Sequence, residues 1–239
     1  MTAEGNSRLR IRFAKTGRIR FISHRDLARV WERALRRAEL PLAYSQGYSP
    51  HPKLSFGLAL ATGYESAAEY LDVEVEGELE LDGIARRLGE HLPDGVDVVG
   101  VVPVAAGEPS LQEAVTSCTW QVELPGVERH WLEAVVSDLL ARPEIPIRRN
   151  RKGTEIDADL RPGIRRLRVE GTPSGTQMTA ELSTGPSGAR PEELIRAVGD
   201  GLSPSLVRRT HQWIERDGDR REPIPANAPP APHAEERAS

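Results

Sequence analysis

An α+β fold made of two consecutive units follows from three observations in this 239-residue sequence. Short alternating segments read as strands and interleave with amphipathic helices. The order strand, helix, two strands, helix, strand occurs once before residue 107 and again, in different residues, up to 214. Beyond 215 the composition turns charged and Pro/Ala-rich. Two tandem βαββαβ units of this kind form the ferredoxin-like arrangement, with helices on one sheet face and the other free for a partner. The predicted division is therefore 1–107, 108–214 and a disordered tail over 215–239.

In the first unit, Arg8-Leu9-Arg10-Ile11-Arg12-Phe13 alternates with a strict period of two, a half-buried strand with arginines on its open face. After Lys15-Thr16-Gly17 the alternation resumes as Arg18-Ile19-Arg20-Phe21, predicting a hairpin or extended arm. Ser23, with Asp26 three residues on, is a helix N-cap signal, and Leu27, Val30, Trp31, Ala34, Leu35 and Ala38 follow at helical spacing. Arg25, Arg29 and Arg36 fall within roughly 40° of one another on the opposite side, at 100° per residue. Pro41 closes the helix. A short strand near 42–45 leads into an irregular Gly/Pro-rich loop, followed by strands near 54–60 and 68–76, a helix near 80–91 and a strand over 96–104.

The second unit opens with a strand at Trp120, Val122 and Leu124 and a helix carrying Trp131, Leu132, Val135, Val136, Leu139 and Leu140. Strands near 145–149, 154–160, 164–170 and 176–183 come next. Pro191 starts a helix at the position where the first turn tolerates proline, and a strand near 205–214 ends the unit.

Charge and composition bound the function. The net charge is only −4, yet residues 1–56 hold twelve Lys and Arg against four Asp and Glu, and residues 57–115 hold two against thirteen. A basic face beside an acidic one draws a polyanion to one side. Of the 32 basic residues only Lys15, Lys53 and Lys152 are lysines, so guanidinium forks dominate. No apolar run is long enough to span a bilayer, and the opening MTAEGNSRLRIRF has neither apolar core nor cleavage site, which predicts no membrane and a cytoplasmic location. The single Cys118 excludes an internal disulfide and any cysteine-held cluster within this chain, and no cofactor or metal is expected.

Three candidate sites emerge. The loop from Tyr44 to Phe56 offers Tyr44 and Tyr48 to stack bases, Gly47 for close backbone approach, and Lys53 for phosphate. His24, at the start of the cationic helix, could pair with His51 as a metal-independent acid-base couple; a polar cap is the simpler role. The turn Arg148-Arg149-Asn150-Arg151-Lys152-Gly153 could grip a phosphate backbone or serve solubility alone. Cys118 reads as buried and inert, and His211 as structural. Phosphate-loop, HExxH and metal-ligand spacings are absent from the sequence.

The segments FAKTGRIRFISHRDLARVWERALRRAELPLAYSQGYSPHPKLSFG and RKGTEIDADLRP resemble the radical SAM-linked family, domain of unknown function 2344 (DUF2344). More distantly, the order of elements resembles CRISPR RNA-processing endoribonucleases with tandem ferredoxin-like domains. The cysteine triplet of radical SAM chemistry is missing, so the resemblance implies an accessory protein acting in trans with a radical SAM partner.

The expectation is a non-catalytic RNA-binding accessory protein, with tRNA or rRNA as partner. Arg18, Arg20, Arg25, Arg29, Lys53, Arg148, Arg149 and Lys152 would contact phosphates, with Tyr44, Gly47 and Tyr48 at the bases. One alternative is a metal-independent endoribonuclease using His24 or His51. The other is a protein-interaction module docking through the acidic stretch Glu65 to Glu80 and the Pro-rich tail.

Overall fold

The alternation at residues 8–13 builds β1 (Asn6–Lys15). Leu9, Ile11 and Phe13 enter the core, but the arginines between them do not simply face solvent. Arg10 is only 1% exposed, because Asp72, directly opposite on the neighbouring strand, accepts from its Nε and Nη2 at 2.8 and 2.9 Å. A guanidinium can be buried when a carboxylate meets it fork to fork.

The computed structural model describes residues 6–77, 79–151, 153–173 and 175–224. Its mixed α+β chain divides into two compact units, Met1–Ala114 with Glu215–Ser239, and Val115–Ile214. The described residues include five α-helices.

Residues Gly17–Phe21, expected as a returning strand, form a 3-10 turn instead. Two tethers decide it. Buried Lys15 donates from Nζ to the carbonyls of Arg20 and Ile22 at 3.3 and 3.4 Å, drawing the chain back onto itself. The Thr16 amide bonds the Gly95 carbonyl at 2.8 Å. Gly95 has a φ of +84°, and a Cβ there would lie 2.3 Å from the Thr16 carbonyl oxygen, so a side chain would break this junction.

The turn delivers the chain to α1 (His24–Arg37), capped by Ser23 Oγ accepting from the Asp26 amide at 3.2 Å. Leu27, Trp31, Ala34 and Leu35 are buried, with the Trp31 ring 4.8 Å from that of Phe13. The helix ends before Pro41. Glu39 takes the left-handed conformation at φ 54°, with its amide on the Arg36 carbonyl and the Leu40 amide on that of Leu35. This is a Schellman closure in which glutamate holds the position that glycine favours. Glu39→Gly is accordingly expected to stabilise the protein by about 0.5–1 kcal/mol, seen as a higher urea midpoint at unchanged slope.

The first unit continues through β2 (Leu54–Phe56), β3 (Glu65–Glu76), α2 (Ile84–Gly89), β4 (Val96–Val104) and the short α3 (Leu111–Ala114). Its antiparallel order is β4-β1-β3-β2. Leu71, Val73 and Val75 of β3 join the β1 residues in a core with Trp31, Leu35, Ile84 and Leu88, so α1 and α2 cover one sheet face.

The other face is not bare. Residues 215–224, expected as part of a disordered tail, carry β11 (Asp219–Arg221) and lay Glu222 and Ile224 against this unit. Ile224 is 3% exposed, and one buried aliphatic side chain with an ion pair is enough to dock a short segment of otherwise polar composition.

The second unit contains β5 (Ser117–Pro125), α4 (Arg129–Ala141), the hairpin β6 (Pro146–Arg151) and β7 (Thr154–Asp159), then β8 (Ile164–Thr172), β9 (Gly175–Ser183), α5 (Pro191–Val198) and β10 (Leu206–Arg216). Its antiparallel order is β10-β5-β9-β8, with β6 and β7 pairing separately. Cys118, Trp120, Val122 and Leu124 alternate into a core with Leu132, Leu139, Met178 and Leu194, all buried.

Candidate nucleic-acid interface

The basic surface of the first unit is built on α1. Arg25, Arg29, Arg33 and Arg36 are all exposed. At 100° and 1.5 Å per residue they lie within about 80° of arc and rise over about 16 Å, a ladder of guanidinium groups along one side. Arg29 bonds Asp26 at 3.3 Å in an exposed pair of little energetic weight. Arg25, Arg33 and Arg36 have no ion pair among the described residues, so their forks remain available to an anion.

His24 sits at the N-terminal end of this ladder, over a groove of about 540 Å³ lined by Leu54, Phe56, Leu58, Ala59 and Gln112 as well. Its ring meets that of Phe56 edge-on, with centroids 5.0 Å apart. Gln112 Nε2 donates to the Phe56 carbonyl at 3.3 Å, tying α3 to β2 across the groove floor. An aromatic pair, apolar walls and a side-chain amide suit a flat heteroaromatic ring.

The Tyr44–Phe56 segment is a stem with a projecting tip. Tyr44 bridges Pro52, the Lys53 amide bonds the Ala43 carbonyl at 2.9 Å, and the Ser45 amide bonds the His51 carbonyl at 2.9 Å. At the tip Tyr48 stands fully exposed, and Tyr44 is 40% exposed. Gly47 has a φ of +145°, which favours glycine on backbone grounds alone. Lys53 Nζ donates to Glu74 at 2.8 Å, a contact that holds the Glu74 carboxyl below its usual range. The two expected histidines part here. His24 lines the groove, whereas His51 is not among its lining residues and donates its amide to Ser45 Oγ at 3.1 Å.

Other expected phosphate contacts divide in the same way. Arg18 is exposed. Arg20 is engaged, with Nη1 on the buried Glu65 carboxylate at 3.3 Å and its guanidinium 4.9 Å from the Phe21 ring centroid. In the second unit Arg148 stands in solvent, 3.9 Å from both Glu155 and Asp157. Arg149 is a strut. It donates to both oxygens of Glu193 at 2.8 and 2.9 Å and to the Gly188 carbonyl at 2.6 Å, so its fork already ties the β6–β7 hairpin to α5. Lys152 lies outside the described residues.

The sheet face of the first unit that points away from its helices is polar and paired. Arg8 Nη2 donates to the Glu108 carbonyl at 2.6 Å, Arg10 bonds Asp72, and Arg12 Nη1 donates to Glu222 at 3.0 Å. The Arg12 guanidinium also lies 5.9 Å from the Tyr70 ring centroid. Burial raises the Tyr70 phenol above its ordinary value, so it stays protonated.

A family model described as "Uncharacterized protein conserved in bacteria (DUF2344)" matches residues 8–191, a span containing α1, its groove, the loop and the hairpin. The chain belongs to this family. Among curated proteins none matches it. A solved structure described as an unknown protein from Galdieria sulphuraria is similar at 15% identity, over 81% of this chain and 88% of that one, with a TM-score of 0.26, too low to transfer anything.

In this DUF2344 chain two surface residues escaped the sequence reading. Arg33 extends the arginine ladder and was legible from spacing, since it follows Arg25 and Arg29 at i+4 steps. Phe21 is 60% exposed beside Arg20, and its alternation with Ile19 had disguised it as a strand residue. The His211 ring stacks on that of Trp213, with centroids 5.1 Å apart. Cys118 is buried at 3% exposure. No helix among the described residues is long and apolar enough to cross a membrane, and no cluster of potential metal ligands occurs among them.

Proposed function

We propose that this protein binds RNA through the first unit, with the α1 arginine ladder on the phosphate backbone and the His24–Phe56 groove receiving a base. The observation that carries the reading is the ladder itself. Three of its four guanidinium groups are without an ion pair among the described residues, along a single helix face that ends at an aromatic-lined groove. Arginine forks suit phosphate oxygens, and exposed rings such as Tyr48 and Phe21 add sequence-tolerant stacking. The family resemblance supports an accessory role beside a radical SAM enzyme in trans.

The ferredoxin-like reading of both units belongs to the same proposal. It is supported by a βαββαβ order in each unit, apart from the inserted β6–β7 hairpin, and by the sheet orders β4-β1-β3-β2 and β10-β5-β9-β8. These orders are equivalent, strand four beside strand one and strand three between one and two.

Binding of purified protein to tRNA, rRNA fragments and duplex DNA at 50 and 200 mM salt tests the function. The expected result is preferential binding of one RNA class, weakening at least tenfold over that range. Equal binding of duplex DNA, or affinity indifferent to salt, would overturn it. The same samples run on a denaturing gel report cleavage, the outcome that would favour the endoribonuclease alternative through His24.

A further inference from the structure

The helix-free sheet face of the first unit is arranged in cross-strand rows. Arg12 lies between Gly100 of β4 and Tyr70 of β3, and Arg10 lies between Val102 and Asp72. A cation beside an aromatic ring on an antiparallel sheet face can hold single-stranded nucleic acid, the ring stacking a base and the cation taking a phosphate. In this protein its own chain covers the Arg12 row. After the turn at Asp217 and Gly218, β11 brings Glu222 onto Arg12 and Arg221 onto Glu108, each at 3.0 Å. Ile224 then lies over Gly100, its methyl carbons 4.0 Å from where a Cβ would stand.

The cover fits incompletely. Arg12 Nε, the Tyr70 hydroxyl and Glu222 Oε1 are buried without a hydrogen-bond partner among the described residues. The Arg12–Glu222 contact thus uses one arm of the guanidinium and one oxygen of the carboxylate, at a position where a fork-to-fork pair would use two of each. A phosphodiester, with two non-bridging oxygens, can engage Nε and a terminal nitrogen together, and its ester oxygens can accept from a phenol. An occupant that satisfies these atoms outcompetes one that leaves them orphaned.

We propose that residues 219–224 form an autoinhibitory strap. Glu222 occupies the place of an RNA backbone phosphate on Arg12, and single-stranded RNA binds the Arg12–Tyr70 row when the strap is displaced. The inference rests on the RNA-binding reading for its ligand class but uses a different surface from α1.

The test uses the full chain and a labelled ten-nucleotide single-stranded RNA. Glu222→Gln is expected to tighten binding about fivefold. The gain should persist when Arg25→Glu and Arg29→Glu are added, and disappear when Arg12→Gln is added. Hydrogen exchange supplies a second readout, because amides of 219–224 must lose protection when RNA is added to the unmodified protein. Unchanged affinity in Glu222→Gln, while the unmodified protein binds through α1, would overturn the strap and leave the α1 reading intact. A gain that survives Arg12→Gln would also overturn it. A gain dependent on Arg12, with an RNA affinity that Arg25→Glu and Arg29→Glu leave unchanged in every background, would uphold the strap and sink the α1 reading. RNA binding by none of these proteins would overturn both.

Discussion

Asp72→Asn is expected to destabilise the protein by about 3 kcal/mol or more, measured as a lower urea midpoint with little change in slope. The side chain keeps its size, so the loss is one of charge and of one acceptor oxygen, replaced by an NH2 group that cannot accept from the guanidinium. Arg10 is 1% exposed, and Asp72 is its bidentate partner at 2.8 and 2.9 Å; the remaining carboxylate, Glu108, stands 3.7 Å away and more exposed. Removing one member of a buried pair strands the other in a low-dielectric setting, which costs more than the pair itself contributes. A second comparison separates these quantities. In the double variant Arg10→Met with Asp72→Leu, most of the stability should return, because no fully buried unpaired charge remains; Arg8, 3.9 Å from Asp72, is part-exposed and keeps its bond to the Glu108 carbonyl. If Asp72→Asn shifts the midpoint no more than an average surface substitution, water reaches Arg10 and the pair is not buried in solution.

The second large effect concerns binding. Reversing Arg25 and Arg29 to glutamate removes two cations and adds two anions on the face proposed to meet phosphate. RNA affinity is expected to fall at least 30-fold at 50 mM salt, because each lost contact also forfeits released counterions. Stability should move by less than about 1 kcal/mol, since both side chains are exposed and only Arg29 makes a pair, at 3.3 Å to Asp26. Arg149→Glu should behave oppositely. Its fork holds Glu193 and the Gly188 carbonyl, so it should lose stability before it alters any RNA contact.

Most regular elements were legible because local periodicity determines them; residues 42–45, expected as a short strand, make only isolated bridges, Leu42 to Val75 and Tyr44 to Pro52. The two-residue alternation at 8–13 and the helical spacing from Leu27 to Ala38 each survive folding unchanged, as do Ser23 as cap and the stop before Pro41. What the sequence concealed depends on partners far along the chain. An arginine on an alternating strand reads as exposed, and only Asp72, 62 residues away, makes Arg10 a core residue. Arg149 looked like one cation of a basic turn, yet Glu193, 44 residues on, turns it inward. Lys15 looked like part of a turn, and its burial under two carbonyls is what converts the predicted strand at 18–21 into a 3-10 turn. The docked segment 219–224 was hidden by the composition around it, since Glu222 acts through Arg12, 210 positions earlier.

For the candidate site the same division holds. The exposed stripe of α1 followed from angular spacing, as did the position of His24 at its start. The groove did not, because it needs Phe56 and Gln112 brought to His24 by β2 and α3. Nor did the separation of His24 from His51, since loop composition carries no information on which arm of the stem faces the helix.

The central claim is that the α1 ladder contacts an RNA backbone, and the salt dependence of binding tests it most directly. The logarithm of the binding constant should be measured against that of salt concentration for the unmodified protein and for Arg25→Ala with Arg29→Ala. Two lost phosphate contacts should make the slope shallower by about 1.4 for single-stranded RNA. An identical slope in both proteins would contradict the claim.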